Sequence, residues 1–277
     1  MSKIYELRYS NTNTYLIEGS KGKLLLDTGW AGTFPMFCQS MGQYGIPVQE
    51  IDHILISHFH PDHCGIAQEI ASKGATIMAM DVQKDFVHSA DAIFAKDNKT
   101  RFFPIDDSKV KIVKCNESRS FLKEIGIDGE ILSTPGHSDD SVSLLLDSGE
   151  LFVGDLNPLY ELELHKGTQI GESWEKLLAR KPKIVYYGHA KTAVLSENSE
   201  GDDTQTNTSE VSSAQIKDKY ELVSKIMKYI DKGLSLERIQ KKTGAEKVFI
   251  EDVTRMYLTH QNVGVQGILD RIEIKGK

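Results

Sequence analysis

Cysteine is scarce in this chain. Cys38, Cys64 and Cys115 are odd in number, and no paired spacing joins them. A disulfide scaffold is thereby excluded, and a reducing, cytoplasmic setting is the simplest expectation. No apolar run approaches the roughly 20 residues that a bilayer-spanning helix requires. The first ten residues, MSKIYELRYS, alternate polar with apolar side chains and lack the apolar centre of a secretory signal. A glycine-rich phosphate loop is also missing, as is any dense strip of basic and aromatic residues. Lys+Arg number 33 against 40 Asp+Glu, a formal charge of −7, which argues against a chain that coats nucleic acid with its whole surface. What is present is an ordinary globular composition, 39% hydrophobic and 26% charged over 277 residues. That length suits one large domain with a small appendage.

Short apolar runs predict strands at 15–17, 24–26, 51–57, 75–80, 109–114, 130–133, 141–146, 151–153 and 183–187. Gly19-Ser20-Lys21-Gly22 reads as a hairpin turn between the first two. Helical patterns fit 34–42, 65–73 and 173–179, so residues 1–196 form a mixed α/β domain in this reading. Residues 197–210, ENSEGDDTQTNTSE, carry no basic and no large apolar side chain. Such a stretch cannot bury a core, and 197–213 is expected to be a flexible acidic, polar linker. Beyond it, Ile216, Tyr220, Val223, Met227 and Ile230 recur at helical spacing. Helices at 236–242 and 248–260, separated by Thr243-Gly244, complete a small helical unit over 214–277, with the outline of a helix-turn-helix. That unit holds 13 Lys+Arg against 9 Asp+Glu, a modest positive balance.

The segment 57–65, SHFHPDHCG, is the most informative in the chain. Three histidines and an aspartate fall within six positions at the end of an apolar run. His58 and His60 lie two apart, so in extended backbone their side chains project to one side. Pro61 ends the extension and turns the chain toward a helix starting near Cys64. One short loop thus offers imidazoles and a carboxylate, the donors that suit zinc, iron and similar metals. The alternative, a polar loop whose histidines merely satisfy backbone carbonyls, explains such clustering poorly. His53, His88, His165 and His260 have no partner at ligand spacing and read as structural or surface residues. Cys64, next to His63, reads as a small packing residue.

His58-x-His60-x-Asp62-His63 resembles the signature of the metallo-β-lactamase-fold hydrolases. The likeness continues in order over about the first 195 residues. Asp27-Thr28-Gly29 resembles the close of the family's opening hairpin. Ser133-Thr134-Pro135-Gly136-His137 is similar to its next ligand motif, Phe152-Val153-Gly154-Asp155 to the segment bearing a bridging aspartate, and Tyr187-Gly188-His189 to the last ligand motif. The resemblance implies a four-layer αββα sandwich followed by the small helical domain. It implies two divalent metal ions, zinc foremost, with iron or manganese able to use the same donors. His58, His60 and His137 would bind the first ion; Asp62, His63 and His189 the second; Asp155 would bridge them.

Departures narrow the branch. Asp155 stands where the zinc β-lactamases have cysteine, and His60 is not the glutamate of the di-iron oxygen reductases. Glyoxalase II and the quorum-sensing lactonases are more similar, although Pro158 occupies the position of the lactonases' tyrosine and Tyr160 is displaced from it. The function implied is a binuclear hydrolase in which a metal-bridging hydroxide attacks a small ester, thioester or lactone, with Asp62 as the catalytic residue that orients it and moves a proton. One alternative is a phosphodiesterase or nuclease that grips nucleic acid with the C-terminal helices. The small charge there, and Asp139 and Asp140 beside His137, weigh against it. Another alternative is a non-catalytic metal-binding scaffold. A small-molecule substrate and no membrane are expected, with the helical unit shaping the site mouth or forming a homodimer contact.

Overall fold

The computed structural model describes residues 2–96, 100–195 and 213–247, together with 249, 250, 253, 254, 257, 265, 268 and 269. Residues 197–212 of the expected linker and His260 lie outside the described residues, and Ser213 opens a helix. Two compact units are present, Met1–Asn198 and Ser199–Lys277.

In the first unit, β1 (Lys3–Leu7), β2 (Thr14–Glu18), β3 (Lys23–Leu26), β4 (His53–Leu55), β5 (Thr76–Met80) and β6 (Val110–Val113) form one sheet in that order. The first three strands are antiparallel, and β3 through β6 run parallel. A second sheet has the order β11-β10-β9-β8-β7, from β7 (Gly129–Ser133), β8 (Val142–Leu146), β9 (Glu150–Phe152), β10 (Ile184–Tyr186) and β11 (Ala193–Val194). The period-two alternation of strand side chains sorts the apolar residues into layers. Tyr15, Ile17, Leu24, Leu26 and Met78 meet Ile131, Val142, Leu144 and Phe152 between the sheets. Leu16, Leu25, Ile54 and Ile77 point the other way. They pack under α1 (Phe34–Gln43), α3 (Ala67–Ala71) and α4 (Asp91–Phe94), against Phe37, Met41, Ile70 and Phe94. On the far side Leu145, Leu151 and Val185 are covered by Trp174 and Leu177 of α6 (Gln169–Leu178). The result is the αββα sandwich. Strands apolar on both faces are what such a double covering demands.

One expectation about the histidine segment is corrected. The turn does not begin near Cys64: α2 (Pro61–Cys64) starts three residues earlier, with proline at its first position. Proline's fixed φ and missing N–H suit a first helical residue, so Asp62 and His63 lie in the opening turn. The short helix α5 (Ser118–Glu124) contributes Phe121 and Leu122 to the core between the sheets.

The second unit contains α7 (Ser213–Asp231) and α8 (Leu236–Thr243). Gly244 ends α8 in the left-handed conformation, φ 69°, a common stop that glycine adopts without strain. Val223, Ile226, Ile239, Ile250, Val253 and Ile268 form its own buried cluster.

Candidate metal centre

Every sequence motif singled out above lies just beyond the C-terminal end of a strand. Residues 57–63 follow β4, His137 follows β7, Asp155 follows β9 and His189 follows β10. Phe59 is buried, at 1% exposure, and the rings of His58 and His60, on either side of it, come together at 4.4 Å between centroids. His58 Nε2 stands 2.9 Å from His60 Nδ1, and His137 Nε2 is 3.2 Å from the same atom. On the other side, His189 Nε2 is 3.0 Å from Asp62 Oδ2, and His63 Nε2 is 3.9 Å from it. Asp155 lies between the two groups. Its Oδ1 is 3.3 Å from His63 Nε2 and 3.5 Å from His189 Nε2, while Oδ2 is 3.7 Å from His137 Nε2. Three sets of donors, each mutually within 4.8 Å, can hold a metal: His58, His60 and His137; His58, His63 and Asp155; Asp62, His63 and His189.

The outward nitrogens of these rings are tied down. His63 Nδ1 donates to Asp27 Oδ2 at 2.9 Å, and His189 Nδ1 donates to the Asn11 carbonyl at 2.7 Å. His58 Nδ1 is 3.1 Å from the Ser57 hydroxyl, which donates to Asp27. Such partners fix which ring nitrogen faces the centre and stiffen its aim. Asp27, itself buried, also accepts the Ser57 N–H at 2.7 Å. Sequence reasoning noted Asp27 only as part of a motif and gave it no role. It likewise missed Asn13, Thr12, Ser57 and Gln83, because no local pattern announces a contact across 30 or 170 positions.

The donors fit a divalent cation. His63 Nε2 and Asp155 Oδ1 are buried and face each other at 3.3 Å without forming a well-aligned hydrogen bond to any group, an arrangement that a cation between them would satisfy. Gly188 leaves room for them: a Cβ there would come within 2.7 Å of Asp155 Oδ1 and 3.0 Å of His63 Cε1. Gly136, next to His137, has a different role. Its φ is 142°, and a Cβ would strike Ile170 of α6 rather than the centre.

Burial holds the His58 imidazole well below its ordinary pKa, and neighbouring histidines add to this. Burial likewise brings His137 down to about 4, so both rings keep free lone pairs at neutral pH. Burial opposes charge on His63 too, yet Asp155, Asp27 and Asp62 outweigh it and raise that ring well above the ordinary value. Asp62 and Asp155 resist protonation despite burial, because His63 and His189 favour their charged forms.

The remaining residues fall elsewhere. Cys64 is buried, its thiol pushed well up by burial. His53 packs edge-on to Phe121 at 4.9 Å, and His88 bonds Asp91 and Asp107. Asp140 was expected to present a repelling charge, but it is 1% exposed and accepts the Phe59 N–H at 2.7 Å.

Residues 7–189 match the Metallo-beta-lactamase superfamily, and the chain belongs to that family. A beta-lactamase-like protein 2 homolog of Drosophila melanogaster is 29% identical over 188 residues, 64% of this chain and 58% of the relative. A probable metallo-hydrolase of Methanocaldococcus jannaschii is 30% identical over 152 residues, 52% of this chain and 66% of the relative. The chain spans 51–66% of the length of these and another of its curated relatives, and 38% of some others. Among solved structures, a B3 metallo-β-lactamase with an active-site glutamic acid gives a TM-score of 0.52 at 21% identity, covering 70% of this chain and 80% of that one. A subclass B3 enzyme from a soil metagenome gives 0.51 at 20%, covering 68% and 76%. These two share the fold.

Proposed function

We propose that the chain is a binuclear metal-dependent hydrolase of small esters, thioesters or lactones. His58, His60 and His137 would hold one divalent ion and Asp62, His63 and His189 the other, with an Asp155 oxygen for each; zinc is the first choice. Bound ions of this kind polarise a carbonyl oxygen and lower the pKa of water toward neutrality. The observation that carries this reading is the convergence of seven buried or half-buried donor side chains, with His63 Nε2 and Asp155 Oδ1 facing each other at 3.3 Å without a well-aligned hydrogen bond.

The chain's own residues divide the remaining work. Asp155 is 2% exposed at its side chain, whereas Asp62 and His137 are 14% and 17% exposed. Substrate therefore approaches past Asp62 and His137. Asp62, held as a carboxylate and reachable from that side, orients the attacking water by accepting a hydrogen bond from it. The two bonds from Asp27, one direct to His63 and one through Ser57 to His58, keep both rings aimed while charge redistributes.

A second reading, phosphodiester cleavage, gains from one observation: the buried Asp140 carboxylate is not the surface repellent that the sequence suggested. A substrate panel decides between them. Metal-reconstituted protein is offered a thioester, a lactone, an aryl ester and a bis-aryl phosphodiester, beside a His58→Ala/Asp155→Ala variant. Turnover of a carboxyl substrate, lost in the variant, is the expected result. Cleavage of the phosphodiester alone would overturn the carboxyl-ester reading in favour of the second.

A further inference from the structure

Two groups of hydrogen bonds around the centre share no residue. The first is built on Asp140 and Gln83, both buried. Asp140 Oδ2 accepts the N–H of Phe59, the residue between His58 and His60, and Oδ1 accepts the hydroxyl of Ser138, next to His137. Gln83 fixes this carboxylate's own backbone. Its Nε2 donates to the Asp140 carbonyl at 3.0 Å and the Ile56 carbonyl at 2.9 Å, while Oε1 accepts the Met80 N–H. One side chain thus ties the loop of His58 and His60 to the loop of His137.

The second group lies in residues 11–13. Asn13 Nδ2 donates to the carbonyls of Tyr187 and Ala190, at 3.0 and 3.2 Å, and its N–H donates to the Gly188 carbonyl at 2.7 Å. The Thr12 hydroxyl donates to the Asp62 carbonyl at 2.8 Å, and the Asn11 carbonyl receives His189 Nδ1. These contacts reach the loop of His189 and the far end of the 57–63 loop, at the Asp62 carbonyl, and share no hydrogen bond with the first group.

We propose that Asp140 and Asn13 are separate positioning residues, Asp140 for the His58–His60–His137 metal position and Asn13 for the Asp62–His63–His189 position, so that each position can be weakened without the other. The proposal rests on the two-metal reading above. Neither residue offers an atom to a metal. Asp140 acts by holding two ligand-bearing loops at a fixed separation, and Asn13 by anchoring the loop of His189 to residues 11–13, from which Thr12 reaches the Asp62 carbonyl; loss of such outer support costs about 10–100-fold in metal affinity. Asp140→Ala strands a buried Phe59 N–H and frees the two loops. Asp140→Asn keeps both bonds, since its amide oxygen can accept from Phe59 while its nitrogen donates to the Ser138 oxygen. Asn13→Asp conserves shape but sets an oxygen against two carbonyl oxygens.

The test is a crossed one, read as zinc affinity by competition with a chromophoric chelator. His189→Ala leaves the first position as the intact one, and His137→Ala leaves the second. In the His189→Ala background, Asp140→Ala is expected to weaken zinc at least tenfold, with Asp140→Asn restoring it to within about threefold. In the His137→Ala background, Asn13→Asp is expected to weaken zinc at least tenfold, while Asp140→Ala changes it less than about threefold. Circular dichroism checks the fold of each protein. Should Asp140→Ala or Asn13→Asp fail to fold, Ser138→Ala and Thr12→Val, which remove one bond each, take their places with the same expected selectivity. Equal weakening in both backgrounds, or none in either, overturns the proposal while the unsubstituted chain still binds two zinc ions. An unsubstituted chain that binds fewer than two overturns the two-metal reading and the proposal with it.

Discussion

Asp27 sits at φ 60°, a conformation uncommon for a residue other than glycine. There its carboxylate accepts from Ser57 twice and from His63 once. Asparagine tolerates the same backbone, so Asp27→Asn removes, without backbone strain, the Oδ2 acceptor shared by His63 and the Ser57 hydroxyl and keeps Oδ1 for the Ser57 N–H. Its amide nitrogen would face the His63 Nδ1–H, and the ring would lose the partner that aims Nε2 inward. Zinc affinity is expected to fall about 10–100-fold with the circular dichroism unchanged; an unaltered affinity would show that Asp27 is structural alone. Gly188→Ala should be equally costly, because the new methyl group meets Asp155 Oδ1. Metal analysis of the purified variant checks it, with depletion expected.

His88 supplies a prediction away from the centre. The Asp107 carboxylate, more than the small opposing effect of burial, raises its pKa, and Asp91 adds to this. A folded-state pKa above the unfolded value means that the stabilisation is complete below about 6.5 and is lost as pH rises through the folded midpoint. In an NMR titration the His88 ring should titrate above 6.5. The stability gap between wild type and His88→Gln should narrow from pH 6 to pH 8. A midpoint at or below 6.5 would contradict the pairing with Asp107.

Among the elements, α6 does two jobs. Trp174 and Leu177 are fully buried against the second sheet, and the Ser173 hydroxyl donates to the Pro135 carbonyl at 2.7 Å, two residues before His137. Leu177→Ala is expected to cost about 2–5 kcal/mol by leaving a cavity, measured by denaturant unfolding of the whole chain. A loss below about 1 kcal/mol would mean that the helix collapses onto the vacancy.

Elements of this kind were legible where the apolar pattern was strong. β2, β3, β5, β8 and α6 follow runs such as Tyr15-Leu16-Ile17 and the stripe of Trp174 with Leu177 and Leu178. β1 was not assigned as a strand, though MSKIYEL does alternate. α5 was missed because seven residues with Phe121 and Leu122 side by side give no helical period. The candidate ligands were legible for a different reason: the seven residues occur in motifs beside strand ends, and the strands bring those ends together. Asp140 shows the limit. A carboxylate beside a ligand histidine reads as charge, and only the fold reveals that Phe59, 81 positions away, supplies its partner.

At the scale of the whole molecule, the sandwich of Met1–Asn198 carries the candidate centre complete, and Ser199–Lys277 has a core of its own. If the buried donors hold ions as proposed, the first unit's stability depends on them. Binding to the folded state alone stabilises by mass action, about 2.7 kcal/mol at a free-ion concentration 100 times the dissociation constant. Chelator treatment should therefore lower the melting temperature, and added zinc should restore it.

The most direct measurement of the central claim is the metal content of the purified chain by elemental mass spectrometry, beside His58→Ala/Asp155→Ala. Two metal equivalents per chain, falling to less than one in the variant, is the predicted result. A chain that binds no metal after reconstitution, while folded by circular dichroism, would contradict the account at its root.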